Sequence, residues 1–146
     1  MSTEDVTFVD SNVLVYAYDA DAGAKHQAAR TALIDLWNQE SGVLSTQVLQ
    51  EFYVTVTRKL STPLARNTAR DVVATYSTWR VHSLDVGDVI AASELEERHT
   101  LAFWDALILV AAQRLGASRL LSEDLQHGRQ IAEMTIVNPF LDGRGG

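Results

Sequence analysis

The chain has 146 residues, no cysteine and a formal net charge of −7. That length allows a single domain with its own core, and the missing cysteine excludes disulfides, zinc–thiolate centres and thiol catalysis. The acidic balance argues against strong nonspecific nucleic-acid binding through Lys and Arg. It leaves room for a nuclease, because bound metal ions invert the sign of a carboxylate pocket, and it suits a basic partner protein.

Met1 to Asp5 is acidic and lacks the basic region of a signal peptide. The longest apolar stretch, within Leu101 to Ala112, is shorter than the roughly 20 residues that span a bilayer. A cytosolic protein that does not enter a membrane is expected. No repeat, low-complexity block or linker divides the sequence, so one domain over 1–146 is expected.

Short apolar runs alternate with longer amphipathic ones, which predicts an α/β fold with a mostly parallel sheet. In chain order, Thr7 to Asp10 reads as a strand, Asn12 to about Ala20 as a helix, and Ala24 to about Gln39 as a second helix. Val43 to Ser45 is a short strand, and Ser45-Thr46 caps a helix through Lys59 or Leu60. Pro63-Leu64 opens a helix to about Thr78; Val81 to Leu84 is a strand; Asp85 caps the next helix, with Asp88 in its first turn. A helix from about Phe103 to Leu115 stops at Gly116. Arg119 to Ser122 and Met134 to Val137 are the remaining strands.

Against this background, four carboxylates lie in or beside apolar runs. Burying an unpaired carboxylate costs several kcal/mol, so a partner or a cation must neutralise it. Asp10 follows Val6-Thr7-Phe8-Val9; Ser11 and Asn12 are available as helix caps, which leaves Asp10 free for another role. Asp105 is the only charge between Leu101 and Ala112, on a helix apolar around its whole circumference, the mark of a buried element. Dipole stabilisation there, about 0.3–1 kcal/mol, is too small to offset burial. Glu51 projects off the stripe Val48, Leu49, Phe52, Tyr53, Val56 and Leu60, toward Gln47 and Arg58, and a solvated role fits it as well as a site role. Asp124 competes with Glu123; strand alternation puts Ser122 and position 124 on one side, which favours Asp124.

Asp10 and Asp124 lie at or just past the carboxyl ends of expected strands, where open parallel sheets bind ligands, and Asp105 sits in the first turn of its helix. With few Lys or Arg near Asp10 and Asp105, a hard divalent cation held by oxygen is the expected counter-charge. His26, His82, His99 and His127 lack metal-ligand spacing and read as surface or satisfied residues, with His127 near enough to Asp124 to help hold substrate. The aromatics, Trp104 among them, read as core or interface packing. Arg58, Lys59, Arg66, Arg70 and Arg80 are candidates for a basic rim. No Walker loop, Rossmann glycine fingerprint, nucleophile elbow or HExxH motif is present.

The segment Val9-Asp10-Ser11-Asn12-Val13-Leu14-Val15-Tyr16-Ala17 resembles the opening signature of PIN-domain ribonucleases. Gln50-Glu51-Phe52 resembles their second acidic motif, Trp104-Asp105-Ala106-Leu107-Ile108 the third, and Ser122-Glu123-Asp124 the Thr/Ser-x-Asp of the fourth. The ending Asn138-Pro139-Phe140 is similar to bacterial members, and within the family the chain looks most like VapC-type toxins of toxin–antitoxin pairs. The resemblance implies a three-layer α/β/α Rossmann-like fold, Mg²⁺ or Mn²⁺ as cofactor, endoribonuclease activity, a homodimer and a cognate VapB-type antitoxin. It implies that Asp10 and Asp105 are the principal metal ligands, that Glu51 and Asp124 complete the catalytic acids, and that Asn12 and Ser122 orient them. Serine stands for threonine in the first and fourth motifs, which keeps the hydroxyl.

Two other readings fit the acids. One is a magnesium phosphohydrolase acting on a small phosphate ester with Asp10 as nucleophile, although position 12 is Asn where aspartyl-phosphate enzymes pair two Asp residues. The other is a noncatalytic module whose acidic pocket receives a basic side chain.

Overall fold

The computed structural model describes residues 5–141. Its sheet comprises β1 (Thr7–Val9), β2 (Gly42–Ser45), β3 (Arg80–His82), β4 (Arg119–Leu121), β5 (Gln130–Ile131) and β6 (Met134–Val137). The spatial order is β3-β2-β1-β4-β6-β5, parallel throughout except for the β5–β6 hairpin. Six helices accompany it: α1 (Ser11–Ala17), α2 (Ala24–Gln39), α3 (Thr46–Arg58), α4 (Arg66–Tyr76), α5 (Val86–His99) and α6 (Phe103–Arg114). The expected three-layer α/β/α architecture is observed.

The inner strands are apolar without alternation because helices cover both faces. Phe8, Val9, Val43, Leu44, Leu120, Leu121 and Ile136 are all buried. Ala106 to Ala112 of α6 are buried without a break, as the circumferential apolarity requires. Near the amino ends of β2 and β3, the rings of Trp37, Tyr76 and Trp79 pack with centroids 4.9–5.3 Å apart. A Cβ at Gly42 would come within 2.4 Å of the Trp79 indole, so only glycine lets that ring lie against β2.

The order of strands positions the site. Paired helices carry the chain from β1 to β2 and from β2 to β3, moving outward on one side. After α5 and α6 it returns to place β4 on the other side of β1. The crevice between the carboxyl ends of β1 and β4 is thus the switch point.

Several boundaries differ from expectation, each for a local reason. The first helix stops at Ala17, because Asp19 accepts from the Asp21 N–H (3.1 Å) and starts a separate 3-10 turn, Ala20–Ala22. Pro63-Leu64 does not open α4: the Leu64 N–H returns to the Val56 carbonyl (2.8 Å), and the helix begins at Arg66. β3 spans Arg80–His82, short of Leu84. Asp85 and Asp88 then form a reciprocal capping box on α5. β5 was not anticipated; its hairpin turns through Ala132 and Glu133 at φ 51° and 67°.

Candidate active site

Asp10, one residue past β1, is 4% exposed. It caps α1 itself, accepting from the Ser11 N–H at 2.7 Å, so the expectation that Ser11 or Asn12 would take that task is overturned. Its other oxygen accepts from the Ser122 hydroxyl at 2.7 Å and from Asn12 Nδ2 at 3.5 Å. Ser122 is fully buried just past β4, and its Oγ also accepts from the Asp124 N–H (3.1 Å). One hydroxyl therefore joins the first acid to the loop bearing the fourth.

Asn12 makes the parallel connection. Its Nδ2 donates to Asp124 at 3.1 Å, while its Oδ1 accepts from the Glu123 N–H at 3.1 Å. These partners fix the amide orientation, because a carboxylate only accepts and a peptide N–H only donates. Asp124 thus faces inward. Glu123 faces away, accepting from the Tyr16 hydroxyl at 2.9 Å and pairing with Lys25.

Glu51, in the second turn of α3, is half-buried rather than solvated. It accepts from the Ser11 hydroxyl at 2.9 Å and from Gln47 Nε2 at 3.1 Å, and Gln47 also donates to the Trp104 carbonyl at 3.4 Å. Ser11 and Gln47 were not singled out as site residues. A polar side chain one turn before an acid on the same helix face was the available signal for Gln47. Asp105, half-buried in the first turn of α6, sits close enough to feel both Glu51 and Asp124. Four acids from four remote segments share one crevice.

Their electrostatics follow from this crowding. Burial pushes the Asp10 carboxyl up to about 7, against the pull of the Ser122 and Ser11 hydrogen bonds; Asp124 and Glu51 push it further up. Burial also raises Asp105, followed by the charges of Asp124 and Glu51. A groove of about 380 Å³ beside the acids is lined by Ser11, Asn12, Tyr16, Thr55 and Asp124, with Glu123 on its Tyr16 side.

The donor set suits a hard cation: all oxygen, with two buried or half-buried carboxylates that face their like and have no ion-pair partner among the described residues. Among the described residues no group of three or more Asp, Glu or His forms a ready-made cage. Mg²⁺ needs none, since it binds through one or two carboxylates and keeps several waters.

Other expectations sort out plainly. His82 bonds Asp88, His26 Nδ1 lies 2.9 Å from the Tyr16 carbonyl, and His127 Nδ1 accepts from the Asn138 N–H. His127 is thereby tied to the chain end rather than to Asp124. Arg80 donates to the Leu115 carbonyl near the opposite edge of the sheet, which removes it from the rim. Arg58, Lys59, Arg66 and Arg70 are exposed. Trp104 is 63% exposed, so it is not core.

Residues 7–131 match the family model described as the PIN domain, and the chain belongs to that family. Among solved structures it is similar to a toxin–antitoxin complex from Klebsiella pneumoniae (TM-score 0.69, 17% identity, covering 91% of this chain and 97% of that one). It is also similar to VapC20 of Mycobacterium tuberculosis, described as a sarcin–ricin-loop-cleaving toxin (TM-score 0.60, 21% identity, 81% and 89%). A third is VapBC2 of Rickettsia felis bound to a DNA fragment from its promoter (TM-score 0.61, 15% identity, 90% and 96%). At these identities the likeness is one of fold. No curated protein matches the sequence significantly. Among the described residues no helix is long and apolar enough to cross a membrane.

Proposed function

We propose that this PIN domain is a metal-dependent endoribonuclease of the VapC type, acting in the cytosol as the toxin of a toxin–antitoxin pair. The observation that carries the reading is the convergence of Asp10, Glu51, Asp105 and Asp124 on the β1/β4 switch point, with Asp10 buried among like charges. The structural neighbours named above, a sarcin–ricin-loop-cleaving toxin and toxin–antitoxin complexes, support the RNA substrate and the antitoxin partner.

Asp10 and Asp105 would hold Mg²⁺ or Mn²⁺. When bound, such an ion activates a water and takes up charge developing on the scissile phosphate. Ser122, the Ser11 N–H and Asn12 hold the Asp10 carboxylate in one orientation, so little reorganisation is needed on loading. Glu51 and Asp124, close to Asp10 and Asp105, would accept the proton a water loses as its oxygen bonds to phosphorus. Water adds to the phosphorus, the ester oxygen departs, and one phosphodiester becomes a monoester and a hydroxyl.

A homodimer forms part of the reading. Val86, Val89 and Ile90 are 75%, 48% and 58% exposed and share one face of α5, the surface on which a second copy would bury apolar area.

The test is purified chain without partner, given structured RNA in Mg²⁺, Mn²⁺ or EDTA, beside a small phosphomonoester. Cleavage of RNA alone, lost in EDTA and in Asp105→Asn, is expected. Turnover of the phosphomonoester, or RNA cleavage undiminished in EDTA, would remove the reading.

A further inference from the structure

Two acids stand side by side in the loop after β4, and either is chemically able to serve the crevice. We infer that Glu123 is a positioning residue: its carboxylate, anchored outward by Tyr16 and Lys25, sets the peptide that turns Asp124 toward Asp10 and Asp105.

The anchor is built from three elements. Tyr16 of α1 donates its hydroxyl to Glu123 Oε1 at 2.9 Å. Lys25, in the first turn of α2, pairs with Oε2. The ammonium sits 5.0 Å from the Tyr16 ring centroid and 5.8 Å from that of Phe140, while the two rings meet edge to face at 4.9 Å. An ammonium between two aromatic faces is held more firmly than one on an open surface. Burial and the neighbouring Glu123 raise the Tyr16 pKa, so its hydroxyl stays a neutral donor.

The backbone then transmits this hold. The Glu123 N–H is taken by Asn12 Oδ1 and the Asp124 N–H by Ser122 Oγ, both at 3.1 Å. With the side chain at 123 fixed on one side and both amides pinned, the side chain at 124 projects to the other and meets Asn12 Nδ2 at 3.1 Å. Without the anchor, Glu123 is a free anion beside an acidic crevice, able to compete with Asp124 for the same amide. Lys25 thus keeps a fifth acid out of the crevice without entering it. Its loss should act through Asp124, since groups that orient a site acid typically change affinity or activity about 10- to 100-fold.

The consequence for rate rests on the nuclease reading; the orientation does not. In the metal-free chain, the side-chain amide resonances of Asn12 report its bond to Asp124. Asp124→Ala, which removes the acceptor, defines the shift that loss of that bond produces. Lys25→Met, at an exposed position that leaves the core intact, and Glu123→Ala are expected to displace the resonances in the same direction. Glu123→Gln, which keeps an acceptor for Tyr16, should recover part of the parent value. Asn12 resonances unmoved in both Lys25→Met and Glu123→Ala would overturn the inference, whatever the RNA assay shows. Where the parent cleaves RNA, Glu123→Ala should slow turnover about tenfold and add nothing in an Asp124→Asn background. Independent, additive losses in that double variant would likewise overturn it. An inactive parent would remove the nuclease reading and leave the amide test standing.

Discussion

Asp88 and Asp10 are both buried aspartates, exposed by 1% and 4%, each bonded to a backbone N–H at the start of a helix that follows a strand. Their surroundings push them in opposite directions. Asp88 is desolvated, but the Asp85 N–H, His82 (2.7 Å) and Arg114 (3.1 Å) more than compensate and hold its pKa below the ordinary carboxylate range. Asp10 also has donors, yet no cation among them, and Asp124 and Glu51 help burial raise it to about 7. The fold supplies cationic partners to one carboxylate from its own side chains and, among the described residues, only neutral donors to the other. A structural acid and a site acid are distinguished by their partners, not by their burial.

The largest expected effect separates the two in activity. Asp10→Asn should reduce RNA cleavage at least about a hundredfold, the scale on which removing one charge-stabilising group acts. At pH 8 in EDTA the same variant should melt higher than the parent, because it removes a charge burial disfavours. Thermal melts beside a gel cleavage assay check both. Asp88→Ala should behave in reverse. It strands His82 and Arg114 and removes half a capping box, costing about 3 kcal/mol in denaturant unfolding, while activity per folded molecule stays near the parent's.

The pH dependences should also oppose. Asp10 binds its proton more tightly folded than unfolded. Its contribution to metal-free stability is therefore full below about pH 4 and lost as pH rises to about 7, at no more than about 1.4 kcal/mol per pH unit. Asp88 contributes above the ordinary carboxylate pKa and loses that contribution as pH falls through its lowered folded value. Mn²⁺ at a hundredfold excess over its dissociation constant should restore about 2.7 kcal/mol at pH 8 and nothing in Asp10→Asn. A metal-free unfolding free energy that climbs from pH 5 to pH 7 would contradict the account of Asp10. The smallest effect is at the hydroxyl: Ser122→Ala should slow cleavage about tenfold, and Ser122→Thr should restore it.

Much of this was legible in the chain because it depends on local pattern. The run rich in Ala, Leu and Gln marked a helix from Ala24 to about Gln39, where α2 lies, and the continuous apolarity around Asp105 identified a buried helix correctly. Alternation carried past the strand favoured Asp124 over Glu123; β4 ends at Leu121, and the two side chains are turned apart by their contacts with Asn12, Tyr16 and Ser122. What escaped depends on contacts between distant segments or on unusual backbone. Glu51 stands off its helix's apolar stripe as expected, but its burial comes from Ser11, forty residues earlier, which periodicity within α3 cannot reveal. The β5–β6 turn uses left-handed Ala132 and Glu133, where a glycine or asparagine would have announced a hairpin. Tyr16 and Lys25 each look like ordinary surface residues until α1, α2 and the loop after β4 are brought together.

The sheet's outermost members have one further bearing. β3 has three residues and β5 only two. A free margin that short offers little template for another chain to zip onto, so the molecule is guarded against fibrous stacking even when concentrated. Any self-association would thereby fall to side-chain surfaces, where charge and shape select the mate.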